Sequence, residues 1–459
     1  MLMRILFPVL LAALVQLISA APKSPNFIYI MLDDAGYGDF GCYGQKLFET
    51  PNIDKMAAEG QKMTQYYSGS TVCAPARCSL MTGLHTGHCL VRGNREVQPE
   101  GQAPMPKNLQ TLPRILSKGG YQTGMFGKWG LGAPGSSSDP ADHFQTFYGI
   151  NCQRQAHTFY PTHLWDNKKK VELDGETYSH SLIANKALEF IKGASKKDKP
   201  FFAYVPFTIP HAAMQAPEKY VAPFRKQFAE YENLIGKYSH GTKVKNPVAA
   251  FAGMMTLVDE DIGRILQLLK ELDIDENTFV LLTSDNGPHV EGGHKPRIFD
   301  SNGPLTGFKR DLTEGGIRVP TIAWWPGTIA AGSENDHISA FWDILATYCD
   351  LAGLEAPKND GISFAPSLKG NCQTAHEYLY WEFHSRGGTQ AIRKGKWKGI
   401  RKGIFKNKEA PVLLYNLEED LAEQKNIAAN HPKIVAELAR LMEEAHEPNP
   451  VFPFPGEKK

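Results

Sequence analysis

The sequence predicts an α/β fold: a large, mixed, mainly parallel sheet flanked by helices, followed by a smaller α+β domain with an antiparallel sheet. Three observations predict it. Apolar runs such as NFIYIML (26–32), KPFFAYVPFTIPH (199–211) and NTFVLLTSDNGP (277–288) are nearly continuous, as in strands buried on both faces. Between them lies MMTLVDEDIGRILQLLKELD (254–273), where Leu257, Ile262, Ile265, Leu266 and Leu269 recur at helical spacing. After about Asn371 the texture changes to short strands. The bulk properties agree: 459 residues, 42% hydrophobic, give a large core in one domain or two. A formal net charge of +1 gives no reason to expect a nucleic-acid binder.

In chain order, residues 1–20 (MLMRILFPVLLAALVQLISA) read as a secretory signal peptide, with Arg4 first, an apolar run over 5–18 and small residues around Ala20. Pro8 and Gln16 interrupt the run, which is short of the ~20 residues that span a bilayer. The expectation is an exported protein, periplasmic, secreted or in a lysosome-like compartment, with no stable membrane anchor. A main domain is expected over 21–370 and the smaller domain over 371–459. The first strand ends at Asp33 and Asp34. YQTGMFGKWGLG (121–132) is a strand leading into a turn at Lys128. The strand at 199–211 ends at His211, and the one at 277–288 ends at Asp285 and Asn286. VPTIAWWPG (319–327) is another strand. Ligands of such sheets sit at the carboxyl ends of the strands, so these polar residues are expected to converge on one edge. In the small domain, EYLYWEF, TQAIRKGKWKGIRKG and PVLLYNL read as antiparallel strands, and PKIVAELARLMEEAHE as a closing amphipathic helix.

Two adjacent aspartates at a buried strand end repel each other unless a cation neutralises them. Asp285 and Asn286 add hard oxygens, which suit Ca²⁺ or Mg²⁺ rather than a thiolate-seeking metal. The plain alternative is that they serve as turn and cap residues. The cysteines are seven, an odd number, at spacings that match no zinc site. Two of them stand in STVCAPARCSLMTGLHTGH (70–88), where Cys73 reads either as a chemically special residue or as a disulfide partner of Cys78 or Cys89.

Cys73-Ala74-Pro75-Ala76-Arg77, with Leu80, Thr82 and Gly83 behind it, resembles the signature of the formylglycine-dependent sulfatases, C-x-P-x-R-x-x-L-x-T-G. TPNIDKMAAEG, GKWGLG, PFTIPHAAMQAP, SDNGP, GFKRDLTEGGIRVPTIAWWPG, DGISFAPSLKG and LLYNLEEDLAEQKNIA stand in the order typical of that family. The resemblance covers nearly the whole chain after residue 20 and implies the alkaline-phosphatase-like fold. It also implies that a maturation enzyme oxidises Cys73 to formylglycine during export. Asp33, Asp34, Asp285 and Asn286, together with modified Cys73, would hold one Ca²⁺, with Mg²⁺ the poorer fit. Arg77 would orient the nucleophile, Lys128 and Lys309 would grip sulfate, and His211 would act as general acid. The implied activity is hydrolysis of sulfate monoesters, of sulfated carbohydrates first and of aryl sulfates as surrogates. The competing readings are a non-catalytic binder of sulfated glycans, and a phosphoester or phosphonate hydrolase on the same fold.

One position departs from the family, which reads G-K-W-H-L-G where this chain has Gly130. His157 and His289 are the candidates to replace that histidine; His85 and His88 read as structural loop residues. The basic stretch 393–408 (RKGKWKGIRKGIFKNK) reads as a solvated hairpin, with a polyanion rail as the functional alternative. Trp165, Trp324 and Trp381 read as core, with sugar stacking as the alternative.

Overall fold

The computed structural model describes residues 24–239 and 241–457. The expected signal peptide lies outside them. Among the described residues no helix is long and apolar enough to cross a membrane.

The main sheet has ten strands: β1 (Asn26–Leu32), β2 (Gln61–Met63), β3 (Gln122–Lys128), β4 (Thr146–Ile150), β5 (His163–Asp166), β6 (Lys169–Glu172), β7 (Phe201–Pro206), β8 (Thr278–Ser284), β9 (Thr321–Trp324) and β10 (Ser333–Asn335). Their spatial order is β10-β2-β9-β8-β1-β7-β3-β4-β5-β6. The five central strands, β8 to β4, run parallel. β9 joins one side antiparallel and β5 the other, so the sheet is mixed, as expected.

The burial pattern explains the continuous apolar runs. On β1, Ile28, Ile30 and Leu32 enter one core, with Ile183, Ala187 and Ile191 of helix Ser179–Ala194 and Leu257, Ile262 and Ile265 of helix Pro247–Glu271. Phe27, Tyr29 and Met31 enter the other, with Leu80 of helix Cys73–Thr82 and Tyr348 of helix Asp343–Ala352. Both faces of the strand are covered, so alternation disappears and every residue from Phe27 to Leu32 is hydrophobic. Helix Cys73–Thr82 is buried at every position. It shows no polar face because it lies between the sheet and other elements.

The C-terminal part carries a separate four-stranded antiparallel sheet, Leu379–Phe383, Thr389–Lys394, Trp397–Lys402 and Val412–Asn416. Leu438, Leu441 and Met442 of helix Pro432–Glu444 cover one face. The other face packs on Tyr67, Val72 and Trp342. The strands at 389–402 draw much of the basic stretch inward. Lys398 is fully buried, 2.6 Å from Glu314, and the Arg393 guanidinium bonds Tyr67 and Gln65. Lys394 pairs with Glu377 and Glu437. The turn at Gly395 and Lys396 and the far end, with Lys402, Lys406 and Lys408, face solvent. Trp324 and Trp381 are core residues, and Trp165 donates to Glu100. All seven cysteines are free, so Cys73 is in no disulfide.

Candidate active site

The strand registers bring the polar residues together. Leu32 on β1 lies opposite Ser284 on β8, so Asp33 and Asp34 leave the sheet beside Asp285 and Asn286. Met31 lies opposite Pro206 on β7, whose following turn carries His211 to the same edge. The Asp33 amide donates to the Ile209 carbonyl at 2.9 Å, tying the two strand ends together. Asp34 turns sharply, with φ +71°, and its amide donates to Asp285 Oδ1 at 3.1 Å. Lys128 is the last residue of β3. Cys73 begins its helix and Arg77 follows four residues later on the same face.

Cys73 Sγ lies 3.4 Å from Asp33 Oδ1 and 3.3 Å from Lys128 Nζ. Lys128 Nζ reaches Asp33 Oδ2 at 2.6 Å. Arg77 donates to Asp285 Oδ2 at 2.8 Å and to the Lys128 carbonyl. Lys309 Nζ lies 2.8 Å from Asp34 Oδ2 and 3.1 Å from His211 Nε2. Asn286 Nδ2 donates to Asp34 Oδ1 at 2.7 Å. Every expected site residue is therefore in one cluster: Asp33, Asp34, Cys73, Arg77, Lys128, His211, Asp285, Asn286 and Lys309. All of them are buried.

Three carboxylates and three cations balance inside this cluster. Without such pairing each buried ion costs several kcal/mol. Burial opposes ionisation of Asp33 and Asp34, but Lys128 beside the first and Lys309 beside the second hold both well below the usual carboxylate range. Asp285 goes the other way, pushed up to about 7 by burial and the neighbouring Asp33 charge, with Arg77 compensating only in part. Burial and Asp33 also raise the Cys73 thiol, which disfavours the thiolate.

The donor set fits a hard cation. Asp33, Asp34, Cys73 and His211 each offer a ligand atom within 4.8 Å of the others, and Asn286 Oδ1 is buried without a hydrogen-bond partner. An orphaned amide oxygen beside crowded carboxylates is satisfied by a cation that prefers oxygen.

The remaining histidines separate by their hydrogen bonds. The His211 Nδ1 proton goes to the Ala212 carbonyl, leaving Nε2 toward Lys309 and Asp34. His289 has both nitrogens committed, Nε2 to the Pro210 carbonyl and Nδ1 to the Glu291 amide, each at 3.1 Å. It has no free nitrogen with which to replace the missing histidine. His85 Nδ1 accepts from the Gly87 amide and His88 Nδ1 sits 2.8 Å from Asp360, a clamp holding the loop after the Cys73 helix. His157 lies flat on His211, ring centroids 5.5 Å apart, and edge-on to Tyr238 at 4.5 Å.

Four neighbours escaped the sequence reading. Tyr238 comes from a short hairpin. Glu291 pairs with Arg310 at 2.5 Å and lies 3.6 Å from Lys309. Gln153 lies against Gly130: a Cβ added there meets Gln153 Nε2 at 2.6 Å. All four are loop residues without periodicity, and only the neighbouring strand ends hint at them.

Residues 25–354 match the family described as Sulfatase, and residues 307–448 match the description N-sulphoglucosamine sulphohydrolase, C-terminal. The chain is 32% identical over 429 residues to N-acetylgalactosamine-6-sulfatase of Rattus norvegicus, covering 86% of this chain and 74% of that protein. It is 29% identical to arylsulfatase G of Canis lupus familiaris, over 87% and 81% of the two chains. The crystal structure of Ps i-CgsB in complex with k-i-k-neocarrahexaose superposes with a TM-score of 0.79 at 26% identity, covering 92% of each chain. With the family match spanning most of the length and the sheet edge assembled as described, the chain belongs to the sulfatases.

Proposed function

We propose that this sulfatase hydrolyses sulfate monoesters of sulfated carbohydrates, with Cys73 matured to formylglycine and one Ca²⁺ at Asp33, Asp34, Asp285, Asn286 and residue 73. The observation that carries this reading is the cluster of three carboxylates and three cations at one sheet edge, with Asp33 and Lys128 in contact with Cys73. The names of the relatives and of the oligosaccharide-bound neighbour support a glycan substrate. The bound cation supplies a positive pole for sulfuryl oxygens, and the hydrated aldehyde supplies an oxygen nucleophile.

The chain's own residues do the rest. Lys128 and Lys309 are each spent on an aspartate here. With those carboxylates holding a cation, both ammonium groups would be free to face the sulfate as point charges. Arg77 stays on Asp285 and fixes the start of the nucleophile helix against the sheet. His211 points a bare Nε2 into the cluster, 3.1 Å from the Lys309 ammonium, and the proton it would pass to the departing oxygen would come from that ammonium.

Two-metal phosphoryl transfer has less support. The second acidic group, Asp34, His289 and Glu291, shares Asp34 with the first, and both nitrogens of His289 are already used. A non-catalytic binder would not need the whole set. Export, a maturation enzyme as partner, and a domain boundary near 370 belong to the same proposal. The test is turnover by calcium-loaded, matured protein of 4-nitrophenyl sulfate, phosphate and phosphonate esters beside a panel of defined sulfated sugars. Sulfate esters should lead by at least ~100-fold, a margin typical of differential transition-state binding. Preference for a phosphonate or phosphate, or binding without turnover, would replace this reading by one of its rivals.

A further inference from the structure

The site is rich in fixed charges and poor in free bases. His211 and His289 have committed nitrogens, as described above. His157 alone among the three carries a ring whose nitrogens make no hydrogen bond among the described residues. The topology explains its place. β3 and β4 are parallel neighbours with Lys128 opposite Ile150, and the ladder continues past the strands: the Trp129 amide donates to Ile150 and the Gly130 amide to Asn151. The segment after β4 therefore runs beside residues 128–130. Gln153 fills the space a side chain at 130 would need, its Oε1 buried without a partner. The turn Gln155–His157 then lays His157 on His211.

We propose that His157 is a further catalytic residue, the proton acceptor that clears sulfate from the enzyme. The assignment rests on the formylglycine reading. Once the sulfuryl group has moved to one oxygen of the diol at residue 73, His157 takes the proton of the other hydroxyl. That O–H electron pair becomes the second C=O bond, the carbon–oxygen bond to sulfate breaks, and sulfate leaves with the bonding pair. The imidazolium returns its proton to water, and water adds to the aldehyde to restore the diol. The site's cations remain the partners of the sulfate and are not altered.

The test uses full-length matured protein, with His157→Ala and His157→Gln, the latter to keep bulk against Tyr238 and His211. Each is saturated with 4-nitrophenyl sulfate and acid-quenched, and the peptide containing residue 73 is weighed. The expected result is a sulfated peptide in both variants, absent from the parent, with sulfate release slowed about 100-fold as for loss of a general base. Added imidazole should remove the sulfated peptide from His157→Ala. Unchanged release, slowed release without the sulfated peptide, or a sulfated peptide that imidazole does not clear would each overturn the proposal. A parent with no aldehyde and no turnover would instead strike the underlying mechanism, so the two failures are distinguishable.

Discussion

Two regions of the chain concentrate basic side chains, and they come to opposite ends. At the carboxyl edge of the sheet, Arg77, Lys128 and Lys309 arrive from separate elements and pair with Asp285, Asp33 and Asp34 beside Cys73. In residues 393–408 the basic residues are adjacent in sequence, yet the antiparallel strands split them between two faces. Lys398 is consumed by Glu314, Arg393 by Tyr67 and Gln65, and Lys394 by Glu377 and Glu437. A dense run of charge in a strand disperses, because successive side chains alternate. Charges placed singly after parallel strands converge, because those ends share one edge. Functional charge in this molecule is a matter of topology, not of local density.

The strongest way to break the comparison is to remove what the converging charges hold. Chelation of the metal, or Asp33→Ala, should abolish sulfate release, and Ca²⁺ should restore the chelated parent but not the variant. Full activity in protein shown metal-free by elemental analysis would end the cation assignment. Next in size, Lys128→Ala should lower kcat about 10³-fold, as expected for loss of a preorganised charge at the reacting group. Thermal unfolding in the presence of calcium separates that effect from misfolding.

The small domain should answer differently. Lys398→Met leaves Glu314 buried without its ammonium partner, an effect of about 3–5 kcal/mol on stability. Denaturant titration should show that loss, while kcat of the folded fraction stays within about twofold. A large fall in kcat with unchanged stability would move Lys398 into the functional site. Smallest of all, Lys406→Ala with Lys408→Ala should change KM for a polysulfated oligosaccharide less than about twofold, as expected for exposed, screened charges. A tenfold rise would revive the polyanion rail at the exposed end of that stretch.

The same contrast governs what could be read from the chain. β1, β7 and β8 were legible because burial on both faces leaves apolar runs that stop at a polar residue, and β3, though it carries Gln122 and Thr123, from the turn it enters at Lys128. Asp33, Lys128 and Asp285 stand at or just beyond those stops, and the resemblance around Cys73 named their roles. The loops were not legible. Gln153 reaches Gly130 only because β3 and β4 pair in parallel, and nothing in NCQRQAH encodes that pairing. His289 looked free in sequence, since its hydrogen bonds run to main-chain groups of Pro210 and Glu291. The fate of residues 393–408 depended on Glu314, more than 80 residues away by the shortest ion pair. Periodicity reports which face is buried, not what waits on the other side.

The central claim is that the converging edge works on a chemically converted Cys73. The measurement closest to it is the mass of the peptide containing residue 73, taken from protein co-produced with a formylglycine-generating enzyme and assayed in the same preparation. The account predicts an aldehyde in place of the thiol, in a fraction that scales with specific activity across preparations of differing maturation. A fully active preparation carrying only unmodified thiol at Cys73 would contradict it.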